Sequence, residues 1–317
     1  MSAEKKHYFY SGLRVSSEIP IPEWSSFEAP EGHPAAEIFI RVRGELTPAE
    51  TPATFESVAG VGHYRLFVPE VGLFEVRNGN EIKVSPLPGS EDNNVRLYLL
   101  GTAWGVVCYQ RGLFVLHGSA INTGSSAVAF CAPSGSGKST LAAWLAARGF
   151  PLVSDDLCRV DIASATPPTL YPSVHRLKLW NASLEALGWE KDEFERDHTR
   201  MDKYHVPWQG EKQIDPLPLR SIYLLAWGEP EIRRLSGSAA LQRFLSAGTY
   251  RGRLIEPMGY WPDYCARSIE LLQQVPVWEF SRPRDLGAID TSAERLVQHW
   301  RDAGLIRENP NEFAERR

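Results

Sequence analysis

The glycine-rich stretch from Phe130 to Phe150, FCAPSGSGKSTLAAWLAARGF, constrains the fold more than any other part of this 317-residue chain. The run SSAVAFC, which leads into this stretch and ends at Cys131, has the composition of a buried strand. The run LAAWLAARG predicts a helix that ends at Gly149. Glycines between a strand and a helix permit a tight backbone turn that bulkier residues resist. The sequence therefore predicts a strand, a loop and a helix in succession.

A loop of this kind offers backbone N–H groups and the positive end of a helix dipole to an anion. The spacing of Gly137, Lys138 and Ser139 is typical of a nucleotide phosphate loop (P-loop), whose lysine contacts phosphates and whose hydroxyl binds Mg²⁺. Ala132 replaces the first glycine of the usual pattern, but the inner glycines remain. The alternative, a flexible polar loop, fits this context less well. We predict a site for ATP and Mg²⁺, with these nucleotide-binding residues: Ser134, Gly135, Ser136, Gly137, Lys138, Ser139 and Thr140.

Two adjacent carboxylates, Asp155 and Asp156, follow the next apolar run, and His117 lies in the earlier predicted strand LFVLHGSAI. Ligands of α/β sheets bind at the carboxyl ends of strands, where we expect this pair. One carboxylate would bind Mg²⁺, and the other would accept the proton of a substrate hydroxyl. His117 would orient or tune one of them. The alternatives are a loop start or helix cap for the aspartates and a core position for the histidine.

The rest of the chain divides into two predicted domains. Residues 1–90 alternate apolar and polar positions and predict a β-rich antiparallel N-terminal module, with a hairpin turn at Asn78 and Gly79. Residues 91–317 alternate predicted strands and helices, which predicts an α/β domain with a mainly parallel core. Within it, the polar stretch EKDEFERDHTRMDKYHVP is predicted to be solvated or mobile.

Composition excludes several functional classes. The net charge is -5 and the basic residues are scattered, which disfavours nucleic-acid binding. The four cysteines form no C-x-x-C pair, so we expect reduced thiols rather than a zinc site or a disulfide framework. No signal peptide or membrane-spanning run is evident, and we expect a cytoplasmic protein without a membrane partner.

The segment RGLFVLHGSAI…AVAFCAPSGSGKSTLAAWLAARGFPLVSDDL resembles the catalytic domain of the HPr kinase/phosphorylase family over about fifty residues. It looks closer still to HPr-kinase-like proteins of peptide-modification clusters, some of which phosphorylate a serine at the end of a lasso-peptide precursor. The resemblance implies a serine kinase that uses ATP and Mg²⁺. It makes Lys138 the phosphate lysine, Ser139 and Asp156 the metal ligands, and Asp155 the preferred base beside His117, with the order of the two aspartates open.

Two departures from that family concern the acceptor. The family continues its loop with glutamate where this chain has Thr140, and HRLKLW brings Lys178 near the position of a metal-associated glutamate. We therefore expect a serine-bearing peptide or small protein other than HPr as substrate, and no phosphorolysis. Phosphoryl transfer also calls for a second basic group near the γ phosphate. The candidates are Arg176, Lys178, Lys203, Arg251 and Arg253.

Two other functions stay open on the sequence alone. One is a nucleotide-binding regulatory protein with weak ATPase activity, in which the aspartates only hold Mg²⁺, and the other is a small-molecule kinase. The oligomeric state is also open, with a homo-oligomer among the alternatives.

Overall fold

The described residues of the chain form two compact units. The first comprises those of Met1–Val115 and Tyr250–Tyr264, and the second those of Leu116–Thr249 and Cys265–Arg317. The computed structural model describes residues 5–30, 32–44, 46, 50–163, 166–197 and 202–306.

A seven-stranded sheet in the order β1-β2-β3-β7-β6-β5-β4 forms the centre of the first unit. Its strands are β1 Lys6–Tyr10, β2 Leu13–Ser17, β3 Ile38–Val42, β4 Glu56–Gly60, β5 His63–Val68, β6 Gly72–Arg77 and β7 Glu81–Pro86. The predicted hairpin is confirmed, because β6 pairs with β7 and both Asn78 and Gly79 have positive φ. The sheet is mixed rather than antiparallel: β3 runs parallel to β2 and to β7. The long connection between β2 and β3, which contains the 3₁₀ helix Pro22–Phe27, permits that parallel pairing.

A continuous helical run follows this sheet in the same unit. It consists of α1 Asp92–Tyr98, a π-helical turn over Leu99–Ala103 and α2 Trp104–Gln110. The short helix α6 Gly252–Ile255 belongs to the same unit, and α7 Trp261–Gln274 begins in it. The compact unit thus continues beyond the predicted module of residues 1–90. Across the described ranges, no helix is long and apolar enough to cross a membrane.

The second unit is built on a sheet in the order β11-β10-β8-β9-β15-β17-β16. Its strands are β8 Phe114–Asn122, β9 Ala127–Cys131, β10 Leu152–Asp161, β11 Thr169–Tyr171, β15 Leu217–Trp227, β16 Glu231–Leu235 and β17 Val277–Arg282. The predicted α/β class is confirmed. The strands β9, β15 and β17 run parallel, whereas β8 and β16 pair antiparallel at either side of them. The carboxyl ends of the three parallel strands therefore lie at one edge.

A smaller sheet in the order β12-β14-β13 also belongs to the second unit. It comprises β12 Arg176–Trp180, β13 Glu195–Arg196 and β14 Lys203–Pro207, and α4 Asn181–Leu187 follows β12. The polar stretch predicted to be solvated supplies β13 and β14, with residues 198–201 outside the described residues. Lys203 and His205 are buried there, so that prediction was wrong for this part. The alternating residues Tyr204 and Val206 pack into the core, so the polar residues between and beside them are buried as well.

Helix α3 Lys138–Ala147 packs into a hydrophobic core of the second unit. Leu141 and Leu145 of this helix are buried together with Phe130 of β9 and with Leu296 and Trp300 of the last helix. The remaining helices of the unit are α5 Gly237–Gly248 and α8 Ile289–Asp302. The apolar side of α3 thus fixes the helix whose first residues are Lys138 and Ser139.

We expect Leu145→Ala to lower the free energy of unfolding by about 2–5 kcal/mol, because it leaves a cavity beneath α3. Leu145 is fully buried, whereas Ile269, the control, is 44% exposed on α7. Ile269→Ala should change stability by less than about 0.5 kcal/mol. Urea unfolding followed by circular dichroism measures both, and equal losses would contradict the packing described.

Candidate functional site

The loop of residues 132–137 joins β9 to the first residue of α3, as the sequence predicts. Gly135 and Gly137 have φ values of 84° and 77°, in the left-handed region that favours glycine. The loop is exposed at Ser134 and Gly135, while Lys138, which begins the helix, is buried. Its geometry combines glycine turns, a helix N-terminus and a lysine at one place.

The amine of Lys138 lies inside the loop rather than in solvent. It donates to the carbonyl oxygens of Ala132 at 2.7 Å and Pro133 at 3.3 Å, and it lies 3.0 Å from Nε2 of His117. Burial lowers the pKa of Lys138, and the two carboxylates of the aspartate pair oppose that shift. The loop therefore encloses a partly desolvated cation.

Asp155 of β10 is buried and surrounded by hydrogen-bond donors. Its carboxylate accepts from the hydroxyl of Ser119 at 2.5 Å and from that of Ser139 at 2.9 and 3.1 Å. The backbone N–H of Lys178 donates to it at 3.2 Å. Asp155 thus connects β10, β8, β12 and the start of α3, where the Ser139 hydroxyl contacts it.

Asp156 has a different environment, although it is the next residue. Its carboxylate accepts from the amine of Lys178 at 2.7 Å and lies 3.4 Å from Nδ1 of His117. Its side chain is 23% exposed. The prediction that the strand ends at the aspartates was wrong, because β10 continues to Asp161. Asp156 adopts a φ of 74° within the strand. This local turn in the backbone gives the neighbouring carboxylates separate partners.

The structure brings five of the predicted residues into one network of contacts. Its members are His117, Lys138, Ser139, Asp155 and Asp156. The side chain of Thr140 instead lies 2.8 Å from the hydroxyl of Ser183 on α4, and both residues are buried. Thr140 therefore links α3 to α4.

Of the candidate cations, Lys178 contacts the aspartates as described. Arg176 lies two residues earlier in β12, and the amine of Lys203 lies 5.6 Å from the centroid of the Trp180 ring. The other two belong to the first unit: Arg251 and Arg253.

The sequence analysis did not identify two residues of the site, Ser119 and Arg282. Ser119 lies two positions after His117 in β8, and alternate strand residues share a face, so strand periodicity was an available signal. Arg282 ends β17 and donates from Nη2 to the carbonyl oxygen of Ser136 at 2.7 Å. Burial lowers the pKa of Arg282 to about 10. Its position at the carboxyl end of a parallel strand was the signal for this residue.

The side-chain oxygens of Ser139 and Asp155 are of the kind that binds Mg²⁺. Mg²⁺ prefers oxygen ligands and is commonly held by one or two carboxylates together with phosphates and water. The hydroxyl and the carboxylate are adjacent here, so both can contact one ion. Within the described ranges, no group of three or more His, Cys, Asp or Glu residues is placed to hold a metal.

No protein-family model matches this sequence, and neither does any curated protein. Among solved structures, the HPr(Ser) kinase/phosphatase from Coxiella burnetii is similar over 60% of this chain and 95% of that chain, with 13% identity and a TM-score of 0.31. A likeness at this level does not establish a shared fold or activity.

We expect Gly137→Ala to destabilise the protein more than Gly135→Ala. Both substitutions place a side chain at positive φ, which costs about 1–2 kcal/mol. A Cβ at residue 137 would also lie 2.6 Å from Nη2 of Arg282, whereas one at residue 135 would have no neighbour within 4 Å. Thermal unfolding of the two variants measures the difference. Equal shifts in Tm would contradict the contact of Arg282 with the loop.

Proposed function

We propose that this protein is a kinase that uses ATP and Mg²⁺ to phosphorylate a serine hydroxyl on a peptide or small protein. The observation that carries this proposal is the network joining a glycine-rich loop and its lysine to two carboxylates with different surroundings. A phosphate-binding element and a proton acceptor side by side are what phosphoryl transfer to a hydroxyl requires. The serine acceptor, including a lasso-peptide precursor, rests on the sequence resemblance.

The loop would bind the triphosphate through its backbone N–H groups and Lys138. The first N–H groups of a helix have no partner within the helix, and at α3 they adjoin the loop. Arg282 holds the carbonyl of Ser136 and adds a positive charge at the same place. These groups would offset the charge that the phosphate oxygens carry during transfer.

Ser139 and Asp155 would hold Mg²⁺, because their oxygens already contact each other. When bound, the ion supplies positive charge to the phosphate oxygens. Asp155 is 6% exposed and accepts hydrogen bonds from two hydroxyls and a backbone N–H, which leaves it poorly placed to reach an acceptor. This assignment reverses the order expected from the resemblance, in which Asp155 was the base and Asp156 the ligand.

Asp156 would act as the general base. Its carboxylate is the more exposed of the pair, and His117 and Lys178 hold it from two sides. The proton of the serine hydroxyl passes to this carboxylate as the serine oxygen forms a bond to the γ phosphorus. The bond between that phosphorus and the β–γ bridging oxygen breaks, and ADP leaves. Lys178 would orient Asp156 and limit the repulsion between the neighbouring carboxylates.

Incubation with γ-labelled ATP, Mg²⁺ and a panel of peptides that end in serine tests the proposal. We expect label on the serine of at least one peptide, and none when alanine replaces that serine. Lys138→Ala should abolish transfer and weaken ATP binding. Binding of ATP without transfer to any peptide would favour a regulatory nucleotide-binding protein, and transfer to small alcohols alone would favour a small-molecule kinase.

The two aspartates should respond differently to substitution by asparagine. Asp156→Asn should lower kcat by about 10²-fold or more, because the general base is lost, while the affinity for Mg²⁺-ATP stays near that of the wild type. Asp155→Asn should weaken the binding of Mg²⁺-ATP and raise the Mg²⁺ concentration required. Calorimetric titration of both variants, with and without Mg²⁺, measures these effects. The opposite pattern would return the base to Asp155.

A further inference from the structure

A tryptophan and an arginine meet at the edge of the sheet from which the loop emerges. Trp227 ends β15 and Arg282 ends β17, and these parallel strands pair the two residues directly. The Arg282 guanidinium carbon lies 4.3 Å from the centroid of the Trp227 ring. Trp227 is 39% exposed, although it adjoins buried strand residues. The Trp227 ring is thus a large aromatic surface exposed to solvent at this edge of the sheet.

Arg282 connects this aromatic surface to the loop. One guanidinium nitrogen, Nη2, donates to the carbonyl of Ser136, while the same group lies over the ring of Trp227. Arg282 is 9% exposed, and its Nε has no hydrogen-bond partner among the described residues. The loop and the tryptophan are therefore separated by about the width of one guanidinium group.

The charge of Arg282 points to an anionic ligand at this edge. Burial lowers its pKa, and among the described residues no carboxylate contributes to that shift. A buried cation without an ionic partner is costly unless an anion joins it. The phosphate loop beside it is where such an anion would bind.

The order of strands fixes the direction in which a nucleotide would lie. The sheet runs β10-β8-β9-β15-β17, so the aspartates on β10 lie on one side of the loop after β9, and Trp227 and Arg282 lie on the other. The γ phosphate must face the aspartates for transfer. The nucleoside must then extend toward β15 and β17.

We infer that Trp227 and Arg282 form the nucleoside end of the site, with the base stacked on Trp227 and Arg282 contacting the phosphates nearer the ribose. This inference rests on the proposed function and adds a binding surface for the base. Stacking on an aromatic ring accepts any nucleobase, because every base has a π face. The ligand class is therefore a nucleoside triphosphate, without selection for adenine by Trp227 itself.

Calorimetric titration with ATP and with inorganic tripolyphosphate separates the base site from the phosphate site. In the wild type, ATP should bind at least about tenfold more tightly than tripolyphosphate. Trp227→Ala should remove most of that advantage and leave the affinity for tripolyphosphate unchanged. Trp227→Phe should keep most of it, because an aromatic face remains. Trp261→Ala, the control, removes a tryptophan that is 37% exposed in the first unit and should change neither affinity.

Three outcomes would overturn the inference. They are a Trp227→Ala variant that binds ATP as the wild type does, one that loses affinity for ATP and tripolyphosphate by the same factor, and a wild type that binds both ligands equally. The proposed kinase function would survive each of them if label transfer persisted. A wild type that binds neither ligand would instead remove the phosphate site and the proposed function with it.

Discussion

The buried ammonium of Lys138 is the charge on which the arrangement of the second unit depends. Removing a cation from water is costly, and the cost must be offset by fixed groups around it. The carbonyls of Ala132 and Pro133 do so from the loop, while His117 and the aspartates do so from the neighbouring strands. The Lys138 ammonium thus stabilises the positions of the loop, β8 and β10 relative to one another.

The backbone conformation of Asp156 places two carboxylates with different surroundings near the Lys138 ammonium. In a regular strand, consecutive side chains lie on opposite faces, and one of two adjacent aspartates would be lost to the site. The positive φ of Asp156 returns its carboxylate to the region of His117 and Lys178, while Asp155 stays buried near Ser139. Aspartate tolerates this conformation better than most residues. The conformation of Asp156 thereby leaves the Asp155 carboxylate beside Ser139 and the Asp156 carboxylate closer to solvent.

Much of this site could be read from the sequence because its elements are local. The strand, loop and helix around Lys138 follow from a continuous run of residues with strong turn and helix signals. The roles of the two aspartates could not be assigned, because they depend on the unusual φ of Asp156. Arg282 was not predicted, because it reaches the site from β17, a strand distant in the chain. The burial of β14 was missed because the strand lies in a stretch of mostly polar residues, of which the alternating Tyr204 and Val206 pack into the core.

The hydrogen bond from Arg282 to the Ser136 carbonyl would also affect the thermodynamics of nucleotide binding at the proposed site. A glycine-rich loop has high conformational entropy, and ordering it upon binding would consume part of the interaction energy. Here β17 supplies a side chain that fixes the loop within the folded protein. In the proposed nucleotide site, this entropy would be lost during folding rather than during ligand binding. A loop preorganised in this way would exchange some stability of the fold for affinity toward the proposed nucleotide.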